Sequence, residues 1–249
     1  MRASTHRGDL LRTKHLLAGL CLLAVVGVSR AQAPVGPRKP SSPELASVHA
    51  VVADFASGAT LFAKHADAVV PIASLTKLMM AMVVLDGAQP LDEWLKIVPR
   101  DTPTEKNAYS RLRVGSEATR GDLLRLALMS SENLACHVLA AHFPGGTAAF
   151  VAAMNAKARE LGMSNTLFVD SSGLSPKNRS TAEDLVKMAA AAARYPLIRE
   201  YSTTADYTVR FRAPAYTLGY VNTNVLARGE AWDIVLSKTG FLEEAGRCL

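Results

Sequence analysis

Three short stretches combine residue types that could do covalent chemistry. In "PIASLTKLMMAMVVL", which begins at Pro71, Ser74 and Lys77 stand three residues apart at the head of an apolar run. A serine hydroxyl of ordinary pKa is a poor nucleophile and needs an adjacent base to take its proton. A lysine serves as that base only when burial or a neighbouring cation lowers its own pKa. Three-residue spacing puts both side chains on one helix face. The apolar neighbours would desolvate Lys77, and a helix N-terminus favours negative charge developing near Ser74. A Ser-x-x-Lys match is expected about once by chance in a chain of ordinary composition and this length. Taken alone, then, the stretch reads first as the polar lip of a core helix.

Two further stretches change that weight. "MSSEN" supplies Ser131, Glu132 and Asn133, whose bland reading is a helix break with a cap. "SKTGF" supplies Lys238, Thr239 and Gly240, whose bland reading is a strand end with a glycine turn. A Lys-Thr-Gly triplet is expected only about 0.05 times per chain of this length. The three stretches occur in order, and together they mark penicillin-binding proteins and serine β-lactamases. From about Val48 onward the sequence resembles the low-molecular-weight penicillin-binding proteins, the D-alanyl-D-alanine carboxypeptidases and endopeptidases of peptidoglycan. The resemblance runs through "PIASLTKLMMAMVVLD", "LALMSSEN", "MNAKARELGMSNTLFVDSSGLS", "STAEDL" and "KTGF". "PLDEWLK", "YSRLRV", "YPLIREYSTT" and "NTN" are similar to the small endopeptidase branch, the penicillin-binding protein 7 type.

The resemblance implies a role for each matching residue. Ser74 would attack the carbonyl of the penultimate D-alanine and form an acyl-enzyme, with Lys77 as its general base. Ser131 would relay a proton to the leaving amine, and Asn133 would hold the substrate backbone and contact Lys77. Lys238 and Thr239 would bind the terminal carboxylate of the peptide, or that of a β-lactam acting as covalent inhibitor. Gly240 would let substrate lie close to its strand, and the N–H groups of Ser74 and Phe241 would form the oxyanion hole. No cofactor and no metal is implied. The runner-up is a β-lactamase, but a class A lactamase needs a glutamate that activates the deacylating water. "NTLFVDSSGLS", where such a residue could lie, offers only Asp170.

These residues need elements to position them, and the sequence predicts an α+β chain. Val48–Asp54 and Thr60–Lys64 flank "FASGA" and read as an antiparallel hairpin. Ser74 to Leu85 reads as a helix apolar around most of its circumference, hence buried. Thr119 is the expected cap of a helix over Asp122–Met129, and Thr147 of one over Ala148–Leu161 that Gly162 ends. Ser180 and Glu183 suggest a capping box before Leu185–Arg194, with Pro196 as the stop. Tyr207–Phe211 and Tyr216–Val221 read as short strands, and Trp232–Thr239 alternates as a last one. The resemblance implies an antiparallel sheet from both chain ends, flanked by helices, with an all-helical subdomain between. It also implies two more strands and a closing helix after Lys-Thr-Gly, whereas the sequence stops nine residues past Gly240. A chain ending there is expected to leave its last strand unpaired, and to be poorly stable or an inactive penicillin-binding-like protein.

The rest of the sequence narrows the setting. A basic head, the apolar run Leu16–Val28 and the small residues of Ala31-Gln32-Ala33 form the pattern of a secretory signal peptide over 1–33. Residues 34–45 read as a Pro/Ser-rich linker, leaving 46–249 as the catalytic domain. An exported protein of this family belongs in the periplasm. The whole chain carries +6, but the leader holds five basic residues and one acid. The mature chain keeps 23 basic and 21 acidic residues, a charge of +2, which removes the case for a nucleic-acid partner. Membrane attachment is left open by these motifs. Cys21 falls in the leader, Cys136 reads as a buried free thiol and Cys248 lies near the end. The six histidines show no ligand-like spacing.

Overall fold

The computed structural model describes residues 44–100 and 109–249. The signal-peptide reading of 1–33 and most of the 34–45 linker lie outside the described residues. Strands β1 (Ala50–Ala53) and β2 (Thr60–Lys64) form the expected antiparallel hairpin, with Ala50 opposite Lys64. Strand β3 (Val70–Pro71) leads into a 3₁₀ turn (Ala73–Leu75) and helix α1 (Thr76–Asp86). Then come β4 (Trp94–Lys96), β5 (Glu117–Thr119), α2 (Arg120–Met129), α3 (Asn133–Ala141) and α4 (Gly146–Glu160). Strand β6 (Arg179–Ser180) precedes α5 (Ala182–Ala192) and α6 (Pro196–Thr203). Strands β7 (Asp206–Phe211) and β8 (Tyr216–Val221) make a second hairpin. A third, β9 (Gly240–Leu242) with β10 (Gly246–Cys248), lies at the C-terminal end.

Helix α1 is the hub, and its composition explains why. Every residue from Thr76 to Val84 is buried, because leucines, methionines, valines and an alanine cover all sides of the cylinder. Helices α2 to α6 pack around it. Each fully buried Leu, Met or Val contributes about 1.5–3 kcal/mol, so the core holds α1, and with it Lys77, in a fixed place. The strands pair as five antiparallel couples: β1–β2, β3–β6, β4–β5, β7–β8 and β9–β10. An isolated bridge ties Glu117 at the edge of β5 to Arg212 beyond β7.

Four local expectations need correction. Trp232–Thr239 is not a strand: its backbone has no ladder partner among the described residues, so alternation alone does not make it one. Ile234 and Leu236 still turn inward while Val235 stays out, and the segment is docked by side chains instead. Helix α4 starts two residues early, with Gly145 in left-handed conformation as N-cap rather than Thr147. The cap of α5 is Thr181, whose Oγ1 accepts from Asp184 N at 3.1 Å, rather than Ser180. Ser180 is buried and engages Thr166 Oγ1 at 2.7 Å. Pro196 does stand beyond α5, but it also opens α6, the position where its fixed φ and missing N–H cost nothing.

Candidate active site

Ser74 sits in the 3₁₀ turn just ahead of α1, and Lys77 in the first turn of the helix. Lys77 Nζ lies 2.8 Å from Ser74 Oγ, 2.8 Å from Asn133 Oδ1 and 2.6 Å from the Ser172 carbonyl oxygen. The side chain is 0 % exposed. Burial pulls its pKa below the ordinary lysine value, more strongly than the nearby Cys136, Asp170 and Glu132 push it back up. All three oxygens can accept from an ammonium, and they also suit the neutral amine that burial favours. A neutral amine has two N–H groups and one lone pair. Asn133 Oδ1 and the Ser172 carbonyl accept only, so they take the two N–H groups. The lone pair is left for the Ser74 hydroxyl, the proton that has to move.

Asn133 is the first residue of α3, and a cap fixes it there. Glu132 Oε2 accepts from Ala135 N at 2.7 Å. Burial raises the Glu132 pKa, opposed by that N–H and by the positive charges of Lys77 and Arg100. Ser131 precedes the cap at φ +59°, a left-handed backbone uncommon outside glycine. Ala73, next to Ser74, has φ +48°. Such outliers cost about 1–3 kcal/mol and collect where a site over-determines its backbone. Ser131 and Asn133 line one cleft, of about 290 Å³. Cys136 is buried and free, as its context suggested, with burial pushing its thiol up to about 11.

The Lys-Thr-Gly segment closes the opposite side. Gly240 lies against the serine turn: a Cβ there would stand 3.0 Å from Ser74 N and 3.2 Å from Ala73 Cβ. The glycine therefore has a reason within the protein, the close approach of β9 to the nucleophile's backbone. Phe241 follows on the same strand, with its side chain 57 % exposed. Lys238 is buried and donates to the Thr239 carbonyl at 2.7 Å. Burial holds its pKa well below the usual lysine range, and Lys77, whenever protonated, lowers it further.

Two groups of residues had no assigned role in the sequence. The first is the loop 170–178. The Asp170 carboxylate accepts from Ser172 N (2.6 Å), Gly173 N (2.6 Å), Ser175 N (2.7 Å) and Ser172 Oγ (3.0 Å). This turns the Ser172 carbonyl toward Lys77 and brings Gly173, at φ +84°, against Ala73. Asn178, 0 % exposed, ties the loop to α1 through Thr76 Oγ1 at 3.1 Å. The "DSSG" run, an Asx-type turn followed by glycine, was the available signal. The second is Asn222-Thr223-Asn224, a clasp on the Lys-Thr-Gly segment. Asn222 Nδ2 donates to the Ser202 and Thr204 carbonyls, both at 2.9 Å. Thr223 N donates to Met129 O at 2.9 Å, and Thr223 Oγ1 lies 2.6 Å from Thr239 Oγ1. Asn224 Nδ2 donates to Ser237 Oγ at 2.9 Å. One tripeptide thus joins the end of α2 to the Lys-Thr-Gly segment.

Among the described residues no cluster of three or more His, Cys, Asp or Glu side chains could hold a metal ion, and no single helix is long and apolar enough to cross a membrane. The sequence model of the family described as D-alanyl-D-alanine carboxypeptidase matches residues 37–249. A D-alanyl-D-alanine endopeptidase of Pseudomonas aeruginosa is 51% identical over 237 residues, 94% of this chain and 76% of that protein. One of Escherichia coli is 52% identical over 209 residues, 84% of this chain and 67% of that protein. Among solved structures, a Streptomyces DD-transpeptidase superposes with a TM-score of 0.75 at 29% identity, covering 84% of this chain and 85% of that one. A penicillin-binding protein of Listeria monocytogenes, in its cefotaxime-bound form, gives 0.70 at 32% identity, covering 83% and 85%.

Proposed function

From the premise that this chain belongs to the D-alanyl-D-alanine carboxypeptidase family, we propose that it is a serine D,D-endopeptidase and carboxypeptidase of peptidoglycan peptides, acylated by β-lactams. The observation that carries the reading is the fully buried Lys77, its pKa lowered by that burial, within 2.8 Å of the Ser74 hydroxyl. Ser74 Oγ attacks the carbonyl of the penultimate D-alanine while Lys77 Nζ takes its proton. The oxygen that becomes negative is met by the N–H groups of Ser74 and Phe241, donors worth about 2.7–4 kcal/mol each in comparable sites. Ser131 passes a proton to the leaving amine, and Asn133 orients the peptide backbone while bonding Lys77. Water then attacks the acyl-enzyme and frees Ser74.

Lys238 and Thr239 bind the carboxylate on the leaving side. A buried lysine with a depressed pKa gains most from such a partner, since the incoming negative charge favours its protonated form. The same logic governs a penicillin carboxylate. Asp170 does not serve as a lactamase base in this reading, because four donors already occupy its carboxylate. The direct test is hydrolysis of a cross-linked muropeptide dimer by wild type and by Ser74→Ala. Wild type is expected to release monomers and the variant none; equal activity in both removes Ser74 as nucleophile.

The 1–33 leader supports export, which puts the catalytic domain in the periplasm with its substrate. N-terminal sequencing of the protein recovered from that compartment is expected to begin at Pro34. A product that keeps Met1 would contradict export.

A further inference from the structure

The 290 Å³ cleft that Ser131 and Asn133 line has a further wall that the proposed mechanism does not use, formed by Tyr109, Arg111, Tyr220 and Val221. The Arg111 guanidinium lies 4.1 Å from the centre of the Tyr220 ring and donates one N–H to Gly219 O at 2.7 Å. Stacking and that one bond hold the fork in place, leaving further N–H donors for a partner. Tyr220 is 7 % exposed, yet its hydroxyl finds no acceptor among the described residues, since the neighbouring Arg111 guanidinium can only donate. Buried hydroxyls are normally paired, and an unmatched one points to a missing acceptor. A rigid planar cation beside a hydroxyl in need of an acceptor is the chemistry that holds a carboxylate. Glu132 also lines the cleft, but its carboxylate is turned to Ala135 N at 2.7 Å.

Ser131, which hands a proton to the leaving amine in the reading above, lines this same cleft. Asn133 lines it too, and on the proposed roles a group held at Arg111 past Ser131 is assigned to the departing side. A single departing D-alanine carries one carboxylate, and Lys238 with Thr239 takes it. A departing peptide strand carries a further one at its own end. We propose that this cleft is a subsite for the departing strand of a cross-link, in which Arg111 and Tyr220 bind that strand's second carboxylate. The inference rests on the D,D-peptidase reading and adds the preference for cross-links over terminal D-alanine.

The test uses the full chain and three substrates: a cross-linked muropeptide dimer, the same dimer with the departing strand's second carboxylate amidated, and a monomeric pentapeptide. For Arg111→Gln the ratio of kcat/KM on dimer to that on pentapeptide is expected to fall about tenfold, the size of one charge-assisted contact. For Tyr220→Phe, which removes only the hydroxyl, a fall of about threefold is expected. Wild type should prefer the dimer over its amidated form by a similar factor of about ten, less so at high salt. Arg111→Gln should lose that preference. An unchanged ratio in both variants, or a wild type indifferent to amidation, overturns the subsite while leaving the peptidase reading intact. Wild type that cleaves neither dimer nor pentapeptide overturns the peptidase reading, and the subsite with it.

Discussion

Replacing Gly173 by alanine should disable the site without touching a reacting residue. Gly173 has φ +84°, and a Cβ there would stand 1.9 Å from Ala73 O and 2.9 Å from Thr76 Oγ1. Real Cβ contacts essentially never fall under 3.0 Å, so Ala73 or the 172–173 backbone has to move by about 1.1 Å or more, a displacement of the size that costs about 100-fold in rate when it reaches reacting groups. Both sides of the clash carry the chemistry: Ala73 precedes the nucleophile, and Ser172 holds Lys77. A left-handed alanine costs about 1–2 kcal/mol and the overpacking about 1–3 kcal/mol more. At about 2–4 °C per kcal/mol for a domain of this size, Tm should fall by roughly 4–20 °C. Acylation by a fluorescent penicillin should slow about 100-fold. Gly162→Ala is the control, since φ there is +69° with nothing within 4 Å of the added Cβ. It carries only the conformational cost, about 1–2 kcal/mol, and should acylate at the wild-type rate. Acylation of Gly173→Ala within threefold of wild type, or a melt matching that of Gly162→Ala, refutes the close-approach reasoning.

Two other expectations concern the lysine and the clasp. Because burial lowers the Lys77 pKa, the neutral base becomes more populated as pH rises through that lowered value, and the acylation rate should rise with it. The unfolded chain still holds the proton up to the ordinary lysine value. Stability contributed by this group therefore rises with pH between the lowered folded pKa and the unfolded one, and is absent below that window. An acylation rate that is flat or falling across the acidic and neutral range would count against Lys77 as the base. Thr223→Val removes the 2.6 Å contact to Thr239 while keeping shape. One neutral hydrogen bond is worth about 0.5–1.5 kcal/mol, so KM for carboxylate-bearing peptide should rise roughly two- to tenfold. A KM equal to wild type would show that the clasp does not set the position of Thr239.

Much of this arrangement was readable from residue types, and what escaped depended on partners distant in sequence. The buried character of α1 followed from its apolar circumference, and the Thr119 cap from a local side chain meeting a local N–H, with Asp122 N bonded at 3.1 Å. The caps of α4 and α5 were misplaced because neighbouring residues, Gly145 and Thr181, fit the same role equally well by sequence. Trp232–Thr239 has a strand's alternation, but a strand needs a neighbouring backbone and none pairs with it among the described residues. Within the site, Ser74 and Lys77 meet as their three-residue spacing implies, and Asn133 joins them as the family resemblance implies. The Ser172 carbonyl is a backbone group, and no side-chain pattern announces it. The clasp of Asn222, Thr223 and Asn224 has no local signature beyond the family resemblance, because its partners come from α2, α6 and the Lys-Thr-Gly segment.

In the proposed mechanism Ser74, activated by a neutral Lys77, is the residue that becomes acylated. Incubating the protein with benzylpenicillin and mapping the covalent adduct by mass spectrometry decides this. One stoichiometric adduct is expected on the peptide containing Ser74, absent in Ser74→Ala and strongly slowed in Lys77→Ala. An adduct on Ser131 or any other residue, or labelling that survives Ser74→Ala, would contradict it.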